Sequence, residues 1–514
     1  MTDRSSMIFG NPIRPEDYRK SEKSKQKMIR KYGDDSGLYY PASLQENHVL
    51  TDRFGLYEVK LGEGIPAESA ETGNSAGFDT ENGVIVGNIR MGFGHYRISM
   101  AMASAAHALG YTPYWMDLNS YPHTTCTKII SGQNELYSMG SRLSQKFGLF
   151  NKLFWEPMNY EGFRKLTYNS SDQKNAELMA PVYRAVPKDI PVIATHVWPA
   201  QAAIHAGMKH VVNAIPDNWP MALHLSEGSL HTIQTHQAYQ GYRILNGMQG
   251  KDVLNPMPAD SLVYTGHYID HEMTANIEQD CAARVARKAE GKPVRFLLTI
   301  GGAGAQKEIF AEIIRDLMPA VREGRAALYV NVGDYKKVWE QLKKEIPSLT
   351  DARPALAEGG PDLGEPGSVI EHFDNWQETG SFAEAAVTGC VAGVHAFWHP
   401  DIFEAVYCTN LLIRSCDVLV TKPSELAFYP VPKLFIQRIG GHEMWGAIHS
   451  AEMGDGTLEC RDIPHTLQMI RMFLEDETLL KDMCDCICRN KKAGLYDGAY
   501  RVVELAMGMK TDNH

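Results

Sequence analysis

Four short segments carry residues whose type and position suit ligand chemistry. In residues 92–97, GFGHYR, Gly92 and Gly94 permit a tight turn and His95 follows at or near a helix start. A neutral imidazole there can take a proton from a hydroxyl, and Arg97 can hold a phosphate. The plainer reading of His95 is a capping or loop histidine without chemistry. The segment is not GxGxxG, because Arg97 stands at the third glycine. Asp117 follows Gly94 by 23 residues and can imitate a ribose-binding acid, so a nicotinamide or flavin reading stays open.

The second segment is GGAGAQ, residues 301–306. Gly302, Ala303 and Gly304 are small enough for a diphosphate to approach the backbone, and Gln306 opens a helix. Tight strand–helix packing is the alternative. The third, residues 416–443, reads CDVLVTKPSELAFYPVPKLFIQRIGGHE. A strand ends at Thr421-Lys422, and Pro423, Ser424 and Glu425 open a short helix. A carboxylate at Glu425 can accept both hydroxyls of a ribose, or merely complement the helix dipole. A further strand leads to Gly440-Gly441, where His442 and Glu443 open another helix. In a parallel sheet all these junctions lie at the carboxyl edge, where ligands bind.

The fourth, HAFWHPD, offers His395, His399 and Asp401, with Glu404 nearby. Pro400 works against a helix that would align the two histidines, so a loop lining the ligand cleft is expected and no metal site. The nine cysteines are odd in number and scattered, which excludes a disulfide framework. On a helix Cys484 and Cys488 share a face and Cys486 points away; the spacing fits no common zinc motif.

The elements that must hold these residues follow a repeated plan. Residues 83–110 and 294–318 each run from an apolar strand through a glycine turn into an amphipathic helix. Strands then alternate with helices in both halves, which predicts α/β architecture: two Rossmann-like, doubly wound domains facing across a cleft. The expected boundaries are an N-terminal extension over 1–80, a first Rossmann-like domain over 81–285, a second over 286–490, and a helix over 491–514 returning to the first domain. Residues 351–367 and 379–400 read as loops or insertions. Residues 466–509 read as a long helical stretch broken at Gly494.

Composition bounds the function. The chain has 514 residues, 44% hydrophobic and 22% charged, with a net charge of −11 and no long basic run. Nucleic acid is thereby disfavoured as the main partner. No apolar stretch spans a bilayer and the first residues lack a signal-peptide core, so a cytoplasmic protein is expected. Residues 143–154, LSQKFGLFNKLF, read as an amphipathic helix packed on the core. Their sharper reading is a face resting on the inner surface of a membrane.

Taken together, these motifs resemble the two-domain, GT-B type nucleotide-sugar glycosyltransferases, nearest the monogalactosyldiacylglycerol synthases and the bacterial lipid-linked N-acetylglucosaminyltransferases. GFGHYR resembles that family's first glycine loop, and NAIPDNWPMALH, residues 213–224, its strand followed by Asp217 and His224. VYTGHYID resembles the end of its first domain, GGAGAQ its second glycine loop, DVLVTKPSEL its donor-ribose segment, and GGHE the pair touching the donor sugar.

The resemblance implies a metal-independent, inverting hexosyltransferase with a UDP-sugar as co-substrate and no further cofactor. The acceptor is a hydroxyl compound, lipid or small molecule. His95 or Asp217 is then the base. Gly92, Gly94, Arg97 and His224 join the acceptor side. Gly302, Ala303, Gly304, Gln306, Lys422, Ser424, Glu425, His442 and Glu443 hold the donor. The departures are a shortened Lys422-Pro423-Ser424 loop, His442 where the family has glutamine, and the insertion at 379–400. A UDP-sugar 2-epimerase of the same fold and a non-catalytic nucleotide-sugar- or lipid-binding relative are the alternatives.

Overall fold

The computed structural model describes residues 3–69, 77–146, 162–300, 306–355 and 360–511, with side chains omitted at 136–146 and 511. The chain divides into two compact units. The first comprises Met1–His271, Gly440–His442 and Asp497–His514; the second comprises Glu272–Ile439 and Glu443–Tyr496.

In the first unit, helix α1 (Pro15–Tyr32) precedes strands β1 (Ala42–Glu46), β2 (Tyr57–Leu61) and β3 (Gly83–Asn88). Helix α2 (Gly94–Ala108), β4 (Thr112–Asp117), α3 (Thr125–Lys146) and α4 (Leu166–Ala176) follow. Then come β5 (Val192–Ala194), α5 (Val197–His205), β6 (Val211–Ala214), β7 (Leu230–Ile233) and β8 (Leu262–Tyr264). The sheet order is β8-β7-β6-β5-β3-β4-β2-β1, parallel throughout except for the β1–β2 pair. β3, VIVGN after Gly83, is buried along its whole length, as a central parallel strand covered on both faces must be.

The first 80 residues are therefore no appended extension. β1 and β2 complete the sheet edge, and α1 packs on α4. β1 ends in polar, exposed Gln45 and Glu46, and β2 carries Glu58 and Lys60 at half-buried positions, which hides both strands from a search for apolar runs.

The second unit starts with α7 (Ile277–Ala289), the label α6 belonging to His236–Arg243 of the first. It continues with β9 (Val294–Thr299), α8 (Lys307–Arg322), β10 (Ala326–Asn331), α9 (Lys336–Glu345), β11 (Arg353–Pro354), β12 (Val369–Phe373) and α10 (Trp376–Thr388). Next are β13 (Gly393–Trp398), α11 (Ile402–Ser415), β14 (Val418–Thr421), β15 (Lys433–Phe435), α12 (Met444–Met453), α13 (Ile463–Glu475) and α14 (Leu479–Lys492). The all-parallel order is β11-β12-β13-β10-β9-β14-β15.

Three expectations change here. The unit takes in α7, ahead of the expected boundary at 286, because α7 packs against α14. Residues 379–400 are not an insertion but most of α10 and an interior strand, β13. Residues 466–509 form three helices. The additional break follows Asp476, whose carboxylate accepts the backbone N–H groups of Thr478 (2.7 Å) and Leu479 (3.0 Å) and so opens α14.

The remaining helix, α15 (Gly498–Thr511), clusters with the first unit, packing on α2, β5 and β6. Among the described residues no helix is long and apolar enough to cross a membrane. Of the segment at 143–154, Leu143–Lys146 ends α3 and the rest lies outside the described residues.

Candidate functional site

Each sheet reverses its winding once. From β3 the chain steps to β4 on one side, then places β5 on the other; from β9 it steps to β10 and later places β14 opposite. Such switch points open a crevice at the carboxyl ends of the two strands. Most of the candidate residues lie at one of these two points or on the strand beside it.

In the first unit, Gly92 adopts φ +74°, a left-handed turn that a side chain would strain, and α2 begins at Gly94. His95 therefore sits in the first helical turn. Its Nδ1 lies 2.8 Å from the carbonyl oxygen of Thr195, just beyond β5. A carbonyl only accepts, so Nδ1 carries the proton and the lone pair of the neutral ring is on Nε2. Thr195 Oγ1 also contacts Ser99 Oγ of α2 (2.7 Å), which fixes the helix start against the next strand.

Beside it, Asp217 Oδ2 accepts from His224 Nε2 at 2.9 Å. His224 is buried and its Nδ1 has no hydrogen-bond partner among the described residues. Burial opposes ionisation of Asp217, but the His224 hydrogen bond and the neighbouring imidazoles, His442 among them, outweigh it and hold the carboxyl well below its usual range.

The sequence reading missed His196. Its ring meets His95 edge to face at 4.8 Å, and its Nδ1 accepts the backbone N–H of Trp198 (3.2 Å), capping α5. Burial, then His95 and His224, keep its pKa well below that of an ordinary histidine. A histidine between a three-residue strand and a helix was the available signal. Two other expectations fail. Arg97 is 2% exposed, so its guanidinium is enclosed rather than offered to a phosphate. Asp117 is buried and accepts from Tyr96 Oη (2.5 Å), Asn119 N (2.9 Å) and Ser120 Oγ (3.0 Å), so it serves the turn after β4 and not a ribose.

In the second unit, Gln306 adopts φ +63° and stands at the N-cap of α8; its side-chain amide donates to the carbonyl of Gln437, beyond β15. Gly302, Ala303 and Gly304 lie outside the described residues. Lys422 follows β14 and pairs with Glu443, whose other oxygen accepts Ile439 N at 2.8 Å. Ser424 and the partly exposed Glu425 open a single 3₁₀ turn, with no cap bond from the Ser424 hydroxyl. The start of α8 and the segments after β14 and β15 are thus tied together through Gln306, Lys422 and Glu443.

His442 and Glu443 lie together in one 3₁₀ turn, Gly441–Glu443, with different neighbours. Glu443 is bound to Lys422, whereas His442 clusters with the first unit within electrostatic reach of Asp217. His395 and His399 share no helix face. His395 is buried in β13 with its Nδ1 2.9 Å from His372 Nε2, and His399 Nε2 meets Thr379 Oγ1 at 3.1 Å. Among the described residues no group of three or more His, Cys, Asp or Glu is placed to hold a metal.

Residues 7–244 match the model of a domain of unknown function, DUF6937, and residues 257–507 match that of another, DUF6938. No curated protein matches the chain at the sequence level. Several solved structures are similar. A UDP-GlcNAc 2-epimerase from Neisseria meningitidis bound to UDP-GlcNAc aligns over 84% of this chain and 99% of its own, at 10% identity and a TM-score of 0.42. The glycosyltransferase VinC in complex with DTDP aligns over 82% and 99%, at 13% identity and a TM-score of 0.37. A glycosyltransferase from Rickettsia africae aligns over 84% and 98%, at 11% identity and a TM-score of 0.37.

Proposed function

We propose that the chain transfers a hexose from a UDP-sugar to a hydroxyl acceptor, with His95 as general base. The observation that carries this reading is the His95–Thr195 contact, which in the neutral imidazole puts the lone pair on Nε2, at a sheet switch point. A base must be positioned before the acceptor hydroxyl arrives, and the Thr195 contact positions this ring. Asp217, held ionised beside His224, supplies negative charge that favours the imidazolium formed on proton transfer.

On this reading the second unit binds the donor. The N-terminal end of α8 faces the diphosphate, Glu425 takes the ribose hydroxyls, and Lys422 with Glu443 borders the sugar. His95 removes the acceptor proton as the oxygen attacks the anomeric carbon and the bond to UDP breaks. The oxocarbenium-like centre is inverted, and the helix end stabilises the leaving diphosphate without a metal. The acceptor is a lipid or a small hydroxyl compound, reached from the inner surface of a membrane in the lipid case.

The test is incubation of the purified chain with a panel of UDP-sugars and hydroxyl acceptors, following free UDP and the recovered sugar. UDP release that requires an acceptor supports the transferase. UDP-sugar recovered with its 2-position inverted assigns the chain to 2-epimerases, and binding without turnover assigns it to non-catalytic sugar-nucleotide binders.

A further inference from the structure

Helices α7 and α14 of the second unit pack together; α7 carries Cys281 and the buried Arg284, and α14 carries Cys484 and Cys488. Arg284 is 1% exposed. Its Nε donates to the Cys416 carbonyl and one Nη to the Ile413 carbonyl, both at 2.8 Å, and the other Nη lies 3.9 Å from Cys281 Sγ. Among the described residues it forms no ion pair with a carboxylate. The nearest acids are committed elsewhere: Asp280 to Arg414 and Asp417 to Arg287. A buried guanidinium needs a counter-charge, and the ionisable atom in contact with it is the Cys281 sulfur.

The two thiols of α14 complete the arrangement. Cys484 and Cys488 stand one helical turn apart on one face of α14, the helix packed on α7, and both interact with the Cys281 thiol. Cys281 and Cys484 are each 2% exposed, while Cys488 is partly exposed and marks where the cluster opens to solvent. The Cys484 contact, opposed by burial and aided by Arg284 and Cys488, lowers the Cys281 thiol below its ordinary value. Burial pushes Cys488 up to about 12, and the Cys281 contact together with burial raises Cys484 further. Cys281, in contact with the buried guanidinium, is therefore the sulfur most favoured to ionise, and the two thiols of α14 stand beside it, the composition that thiol oxidation needs.

We propose that Cys281, Cys484 and Cys488 form a peroxide-reactive thiol site, in which a small hydroperoxide oxidises Cys281 and a thiol of α14 resolves it to a disulfide. The Cys281 thiolate attacks the O–O bond of hydrogen peroxide, forming an S–O bond and releasing hydroxide, so Cys281 becomes a sulfenic acid. A thiol of α14 then attacks that sulfur. The S–O bond breaks, an S–S bond forms, and the thiol proton leaves with the hydroxyl as water. Two electrons pass from the sulfurs to the peroxide, and solvent protonates the hydroxide. The site stands apart from the sugar-transfer reading and does not depend on it.

The test uses the full reduced chain, treated with a slight molar excess of hydrogen peroxide and mapped by peptide mass spectrometry without reduction. The expected product links the Cys281 peptide to the peptide carrying Cys484 and Cys488, with two thiols lost per chain. Cys390, the exposed cysteine, serves as the internal standard and stays reduced at that dose. Arg284→Gln should slow the linkage by about tenfold or more, since the thiolate loses its cation. Should that variant fold poorly, Cys281→Ala supplies the second reading, because it must also protect Cys484 and Cys488. Oxidation of Cys390 ahead of Cys281, or unchanged thiol loss in Cys281→Ala, overturns the proposal.

Discussion

Asp217 and His224, seven residues apart in sequence, meet at 2.9 Å through Oδ2 and Nε2. His224 is almost wholly buried while the Asp217 side chain keeps 34% of its surface exposed. The charged member of the pair thus faces outward and its orienting partner lies behind it, which suits a carboxylate that serves a reacting group and not the core.

His95→Ala should lower transferase turnover by roughly a hundredfold or more while leaving the melting temperature nearly unchanged. Steady-state kinetics beside thermal unfolding checks it. Full activity in His95→Ala with loss in Asp217→Ala moves the base to Asp217, and activity in both variants removes the mechanism.

Glu425→Ala should weaken UDP binding by roughly ten- to a hundredfold, the scale of a lost charge-assisted hydrogen bond. Calorimetry with UDP and, as a contrast, ADP reads this directly. An unchanged UDP affinity takes Glu425 out of the site.

Asp172 on α4 is 3% exposed, its Oδ2 has no hydrogen-bond partner among the described residues, and burial raises its pKa to about 7. The folded state then holds a proton that the unfolded chain releases near pH 4. Stability falls as pH rises through that window, by up to about 1.4 kcal/mol per pH unit. Asp172→Asn should flatten the dependence and melt higher than the parent at pH 8. Parallel melting curves with the same slope from pH 5 to 8 would count against it.

Lys433 is fully buried and is matched by Asp455 at 3.0 Å, which also accepts from Tyr496 Oη (2.8 Å) and Ser450 Oγ (2.6 Å). Asp455→Ala leaves that ammonium without its counter-charge and should cost about 3–5 kcal/mol. Lys433→Met with Asp455→Leu should recover much of the loss. Urea denaturation of the three chains tests the ordering.

The sequence made the strands legible where apolar runs ended in glycine, as at β3 and β9, and it picked out His95 because Gly92 marks the turn before it. β13 was hidden for a physical reason. GVHAFW carries His395 in mid-strand, and the cost of burying that ring is met by His372 on β12, a partner 23 residues away. Arg97 and Asp117 misled in the same way, since a charged residue near a glycine loop looks exposed until its burial is known. The local signal for His196 is its place between a short strand and a helix, but its position beside His95 comes only from the β3–β5 pairing.

Helix α15 has a consequence for the order of events during synthesis. Ala499, Val502, Val503 and Ala506 are completely buried, and Arg501 donates to the Thr265 carbonyl at 2.7 Å, so the first unit is unfinished without them. In sequence they lie beyond the entire second unit. A ribosome that has made residues 1–271 has therefore not yet supplied the helix that covers α2, β5 and β6. The apolar surface there must wait through more than 200 further residues, and the nascent first unit is a natural client for chaperones during that interval.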